Sequence, residues 1–166
     1  ILQSYESDFS KHTSNIEANR ISIIWNSIPS QISRENKKFL FQAAKDGARA
    51  REYEGAVNWL KDANVVNKVY NVTKPNMPLI SYNDLSAFKM YLIDVGLLRR
   101  KTDLDSKIII EGNKLFQEFK GALTENFVLQ SLIAHGLHPY YFAFDNRYEI
   151  DFIVQYRNEI IPIKVK

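Results

Sequence analysis

The chain has 166 residues, 45% of them hydrophobic and 25% charged, an ordinary globular balance with room for one medium core or two small ones. Six Gly and five Pro exclude collagen-like and low-complexity classes, and 13% aromatic residues argue against disorder. The absence of Cys excludes disulfides, thiolate-held metals and a Cys nucleophile, while a net charge of only +3 permits nucleic-acid binding without demanding it.

Residues 1–15 are polar, with isolated Tyr5 and Phe9, and read as the end of an upstream element or a linker. The start lacks both an initiator Met and a basic segment leading into an apolar one, so it reads as a fragment without a signal peptide. Residues 16–33 predict a helix from the spacing of Ile16, Ile21, Ile24, Trp25, Ile28 and Ile32, with Pro29 expected to kink or punctuate it. A second helix is predicted over Asn36–Lys45, with Phe39, Leu40, Ala43 and Ala44 inward and Gly47 just past its end. A third is predicted over Glu52–Asn64.

The period then changes. Val65–Val72 reads as a strand, Lys74–Pro78 as a turn cluster, and Leu79–Tyr82 as a returning strand. Three short helices followed by a hairpin is the order of a winged helix-turn-helix, placed at residues 16–101. Between Arg34 and Arg51 lie six basic residues (Arg34, Lys37, Lys38, Lys45, Arg49, Arg51) and two acidic ones. These six are the candidate DNA contacts. Glu52 and Glu54 oppose that role, because they stand where a recognition helix meets DNA.

Residues 102–112 read as a connection. Lys114–His135 then predicts one long helix stopped by Gly136, followed by strands over Tyr140–Phe144, Glu149–Tyr156 and Glu159–Lys166, with turns at Asp145–Arg147 and Arg157–Asn158. Alternation places Asp151 on one face of its strand, and Lys164 and Lys166 on one face of the next. A hairpin can therefore bring Asp151 and Lys166 to one side of the sheet. Glu125 falls on the apolar arc of the long helix with Val128, Leu129 and Leu132. A carboxylate there needs a partner, either a metal or a donor such as Lys166 or a backbone N–H.

A carboxylate and a strand-borne lysine in this arrangement resemble the PD-(D/E)XK nuclease core. There an Asp and a second carboxylate hold a divalent metal, and the Lys activates water. On that resemblance Asp151 and Lys166 are the catalytic candidates, and Glu125 and Asp151 the ligands of Mg or Mn. The motif requires a carboxylate two residues before its Lys, and this chain has Lys164 there. An ammonium at a ligand position repels the metal. The three histidines, His12, His135 and His138, show no metal-ligand spacing with the carboxylates. No Gly is followed by Lys-Ser or Lys-Thr, so no P-loop is present.

The segments GARAREYE, SAFKMYLIDVGLL, GALTENFV and EIDFIVQYRNEIIPIKVK, in this order, resemble the C-terminal half of a family of prokaryotic AAA-type ATPases. The resemblance covers about residues 15–166. It implies an α+β chain: a winged helix-turn-helix followed by a partial restriction-endonuclease-like α/β domain at 113–166. It implies that residues 1–15 are the tail of an upstream ATPase lid, that ATP binds only in that missing upstream domain, and that a helix and strand follow Lys166. The family ending resembles I-P-I-E-V-K, from which Lys164 departs. The reading is a non-catalytic accessory region of a cytoplasmic ATPase, without a cofactor of its own, contacting DNA or a partner protein. An active metal-dependent nuclease and an oligomerisation scaffold are the alternatives. No apolar run approaches the about 20 residues of a membrane span.

Overall fold

Ser14 opens the first long helix through a reciprocal cap: its hydroxyl accepts the Glu17 N–H and donates to the Glu17 carboxylate, both at 3.3 Å. The computed structural model describes residues 2–11, 13–105, 107–108, 117–145 and 148–166. In chain order these form α1 (Leu2–Lys11), α2 (Asn15–Ile32), α3 (Phe41–Ala44), α4 (Ala50–Asp62), β1 (Val66–Val72), a 3-10 turn (Leu79–Tyr82), β2 (Asn83–Leu92), α5 (Val95–Lys101), α6 (Gln117–Ala134), β3 (Tyr140–Phe144), β4 (Tyr148–Tyr156) and β5 (Glu159–Ile163). The molecule is α+β, with six α-helices and a five-stranded mixed sheet among the described residues.

The strand order is β2-β1-β3-β4-β5. All neighbours are antiparallel except β1 and β3, which meet in parallel at Asn71 and Tyr141. The Asn71 side chain reinforces that short contact by accepting the Ala143 N–H at 3.0 Å. One sheet therefore runs through both stretches that the sequence suggests as domains. Of the expected connection at 102–112, residues 106 and 109–112 lie outside the described residues, as does the expected helix start at 114–116.

The main core gathers Ile21, Ile24, Trp25, Ile28 and Ile32 of α2, Val57 and Leu60 of α4, Met90, Tyr91 and Leu92 of β2, and Leu129 and Phe152 from the last third. The alternation of β4 sends Phe152 to this core and Ile153 to a smaller cluster with Val72 and Leu79. The sharp end of α6 follows from Gly136, whose φ of +75° suits glycine, with the Leu137 N–H returning to the Leu132 carbonyl at 3.1 Å.

Three local expectations are corrected and one is narrowed. Pro29 does not end α2, which continues to Ile32. The last turn holds because Gln31 and Ile32 are buried and the Ser33 hydroxyl bonds the Pro29 carbonyl at 2.6 Å. The helix predicted over Asn36–Lys45 shrinks to the single turn of α3, and Leu40 is exposed. Backbone N–H groups needed for a longer helix are engaged elsewhere: Phe39 donates to the Phe88 carbonyl and Leu40 to the Gln31 side chain. Leu79–Tyr82 is a 3-10 turn, not a strand, and the returning strand is the following segment, Asn83–Leu92. The turn buries Leu79 and closes on itself through the Ser81 N–H to the Pro78 carbonyl. Finally, β5 stops at Ile163 instead of reaching Lys166. The polar residues 1–15 are also largely helical, with Phe9 of α1 buried.

Candidate functional site

The carboxylates singled out in the sequence meet at one open cleft of about 840 Å³. Its walls come from the segment before α3 (Glu35–Lys38), the start of β2 (Asp84, Ala87), α6 (Gly121, Glu125), β3 and β4 (Tyr141, Glu149, Asp151), and the chain end (Lys164, Val165). The cleft is thus assembled from both halves of the chain.

Asp151 is buried in the middle of β4, at 3% exposure. The register pairs Phe152 with Ile163, and one step further along brings Lys164 opposite Asp151. The Lys164 ammonium lies 3.0 Å from Asp151 Oδ1, and the Val165 N–H donates to Oδ2 at 2.8 Å. This capture explains why β5 ends early. The carboxylate takes an N–H that a longer strand would offer to a backbone carbonyl. It also corrects the expected pairing: Lys164, not Lys166, is the lysine brought to Asp151, and Lys166 is exposed at the chain end.

Glu125, 4% exposed on α6, is also paired. Its Oε1 accepts from the Lys37 ammonium, and its Oε2 accepts from the Tyr91 hydroxyl at 2.9 Å. Among the described residues, Lys37 and Tyr91 fill the partner role that the sequence assigned to Lys166 or a backbone N–H. Burial and the adjoining Glu125 carboxylate push the Tyr91 phenol well above its ordinary range.

A third pair lies beside these. Lys89, completely buried in β2, contacts the Glu149 carboxylate and stands 4.8 Å over the Tyr141 ring. Burial, with Glu149 and Asp84 adding repulsion, raises the Tyr141 phenol. Asp84 at the cleft edge is held below the usual carboxylate range, chiefly by the Ser86 hydroxyl. Lys89 had a sequence signal, a lone lysine in the otherwise apolar run Ala87–Leu92, although the sequence does not show its partner 60 positions away.

Three carboxylates at the cleft therefore each carry a lysine. Both oxygens of Asp151 and both of Glu125 already accept hydrogen bonds. Among the described residues no group of three or more His, Asp or Glu side chains is placed to hold a metal ion. A divalent cation needs several oxygen ligands free of competing ammonium groups, so this donor set does not fit Mg or Mn.

Of the six candidate DNA contacts, Arg34, Lys45, Arg49 and Arg51 are exposed, Lys38 is half-buried at the cleft wall, and Lys37 is turned inward onto Glu125. Glu52 and Glu54 at the start of α4 are exposed as well. His12 and the turn residues Asn146 and Arg147 lie outside the described residues.

The two halves are fastened by residues that the sequence reading passed over. The Asn126 side chain, fully buried on α6, accepts the Leu92 N–H and donates to the Leu92 carbonyl, both at 3.1 Å. It caps the free edge of β2 as a neighbouring strand would. One turn further, Gln130 accepts the Val95 N–H at 3.1 Å. Their signal in the sequence is an amide within an apolar helical stretch.

Among the described residues no helix is long and apolar enough to cross a membrane. No curated protein and no solved structure matches the chain. Residues 120–166 match the model of a domain of unknown function, DUF4143, which is known to follow AAA ATPases. Residues 1–108 match the model of another domain of unknown function, DUF8612, and with most of its length matched the chain belongs to that family.

Proposed function

We propose that the chain is a non-catalytic accessory region of an AAA-type ATPase, in which a winged-helix-like first part is joined to a degenerate nuclease-like second part and docks a partner. The observation that carries this reading is the Lys164 ammonium on Asp151, where a nuclease would place a second carboxylate and its metal. The Lys37 ammonium on Glu125 supports it from the opposite wall. With an ammonium on each of these two carboxylates, neither Asp151 nor Glu125 is left open to a divalent metal or free to act as a base toward water.

The charges favour a protein partner over DNA. Lys37 is withdrawn from the basic set, and the exposed Glu52 and Glu54 stand at the helix end where phosphates would approach. Two measurements test the proposal. Incubation with DNA and Mg²⁺ or Mn²⁺ should give the same background for the native chain, Asp151→Ala and Lys166→Ala; cleavage lost in both variants would establish a nuclease instead. A gel shift should show at most weak duplex binding. Tight binding that falls steeply between about 50 and 200 mM salt, and that is lost in Arg49→Ala/Arg51→Ala, would make DNA the partner.

A further inference from the structure

The strands lay a row of polar side chains across the cleft floor. The register sets Asp84 of β2 beside Asn71 of β1, and Asn71 beside Tyr141 of β3. Ala143, two residues on from Tyr141, pairs with Glu149 of β4. Asp84, Tyr141 and Glu149 all line the cleft, at the end away from Lys164.

These three side chains hold unused bonding capacity. Tyr141 is 2% exposed, yet among the described residues its hydroxyl makes no hydrogen bond. It is not sealed in, because the enclosed side-chain atom left without a partner among those residues is Asn83 Oδ1. The hydroxyl therefore opens on the cleft that Tyr141 lines. A buried phenol normally finds a partner. Asp84 differs from Glu125, Glu149 and Asp151 in having no lysine on it among the described residues. Its bonds from the Ser86 N–H and hydroxyl, at 2.9 and 2.6 Å, both fall on Oδ1. Glu149 meets Lys89 through Oε1, and its side chain is 27% exposed. At the mouth, the Tyr148 ring lines the same cleft at 71% exposure.

We propose that Asp84, Glu149 and the Tyr141 hydroxyl form a seat for the guanidinium of an arginine carried by a protein partner, with the Tyr148 ring as its stacking face. The proposal rests on the protein-docking reading above. A guanidinium presents five N–H donors in one plane, enough to serve two carboxylates and a hydroxyl while its face meets a ring. The field at the seat has the right sign: after burial itself, Glu149 and Asp84 are the groups that raise the Tyr141 phenol. A divalent metal fits worse, because it would find only two carboxylates, one of them already on Lys89. An anion would meet the ionised Asp84. The opposite wall brings Glu35 and Lys38, and Lys38 is the cation acting on Asp84, so it competes with the incoming arginine.

Titration of N-acetyl-arginine amide into the isotope-labelled chain, followed by amide NMR, tests the seat. The amides of Asn71, Ser86, Ala143 and Glu149 should shift saturably, with a Kd on the order of 1 mM. N-acetyl-citrulline amide, of the same shape without the charge, should leave them in place. Tyr141→Phe and Asp84→Asn should each weaken the arginine probe about tenfold, Tyr148→Ala should weaken it less, and Lys38→Gln should tighten it. Tyr141→Phe breaks no hydrogen bond seen within the protein, so it should melt with the native chain and decides the matter if Asp84→Asn folds poorly. Equal shifts with citrulline and arginine, no saturable shift below about 20 mM, or an arginine affinity unchanged in Tyr141→Phe would overturn the seat. A failed seat in a chain that still cleaves no DNA leaves the accessory reading standing, whereas cleavage lost in Asp151→Ala and Lys166→Ala overturns that reading whatever the probe does.

Discussion

Lys164 and Asp151 face each other at the end of the β4–β5 pair, ammonium to carboxylate at 3.0 Å, while the neighbouring Val165 N–H takes the other carboxylate oxygen. The lysine side chain is 60% exposed and the aspartate side chain 5%, so the pair sits at the cleft mouth with its acid side inward.

Reversing the charge of this lysine tests what the pair does. Lys164→Glu places two carboxylates on facing positions, where like charges cost about 1 kcal/mol or less. The variant should melt below the native chain in EDTA. Millimolar Mn²⁺ should raise its melting temperature by binding the folded state, and should leave the native chain unmoved. An equal Mn²⁺ response in both proteins would show that Lys164 does not govern cation access.

Much of this arrangement was legible in the sequence. Alternation in EIDFIVQY separates Phe152 from Asp151 and Ile153, as the two cores require, and the apolar arc of α6 marks Glu125 as a buried acid in need of a partner. The identity of the partners was not legible. Lys37 lies 88 positions from Glu125, and alternation is silent about such distances. The choice between Lys164 and Lys166 was decided by the register, which sets Ile163 opposite Phe152 and so Lys164 opposite Asp151, and alternation alone does not fix a register. The helix expected at Asn36–Lys45 failed for a similar reason. Phe39 and Leu40 bond to β2 and to Gln31, so tertiary contacts override local helix preference.

The Lys37–Glu125 contact is a buried ion pair, and its cost on disruption should be asymmetric. Lys37→Met or Glu125→Leu alone strands a charge and should each lose about 3 kcal/mol in urea unfolding. The double variant should lose less than the sum of the two, because no lone charge remains. It still leaves the Tyr91 hydroxyl unpaired, so adding Tyr91→Phe should recover about 1 kcal/mol more. Additive losses across this series would show that Lys37 and Glu125 do not act as a pair.

Tyr91 also predicts behaviour in alkali. Its phenol is raised by burial and by Glu125, so the folded state holds the proton after the unfolded chain has released it near pH 10. Above that pH the folded state binds more protons than the unfolded state, and stability falls as pH rises. The stability lost between pH 9 and 11 should be smaller in Tyr91→Phe than in the native chain. Parallel pH curves for the two proteins would remove Tyr91 as the source.

The fastening of α6 to β2 gives the last prediction. Asn126 is fully buried and exchanges two hydrogen bonds with the backbone of Leu92, at the free edge of the sheet. A leucine, branched at the same carbon, would occupy the space and leave both the Leu92 N–H and its carbonyl without partners. Each unsatisfied buried group costs about 1–3 kcal/mol, so Asn126→Leu should lose about 2–6 kcal/mol. Asn126→Asp keeps the acceptor for the Leu92 N–H but places an anion against the Leu92 carbonyl, so it should destabilise at pH 7 and recover toward pH 4. The amide-exchange pattern separates local from global effects. If Asn126 is the joint between the two family segments, protection should fall first in α6 and at Leu92, and later in α2 and α4. A uniform loss of protection across the molecule would mean that the two segments unfold as one unit, whatever holds their edge together.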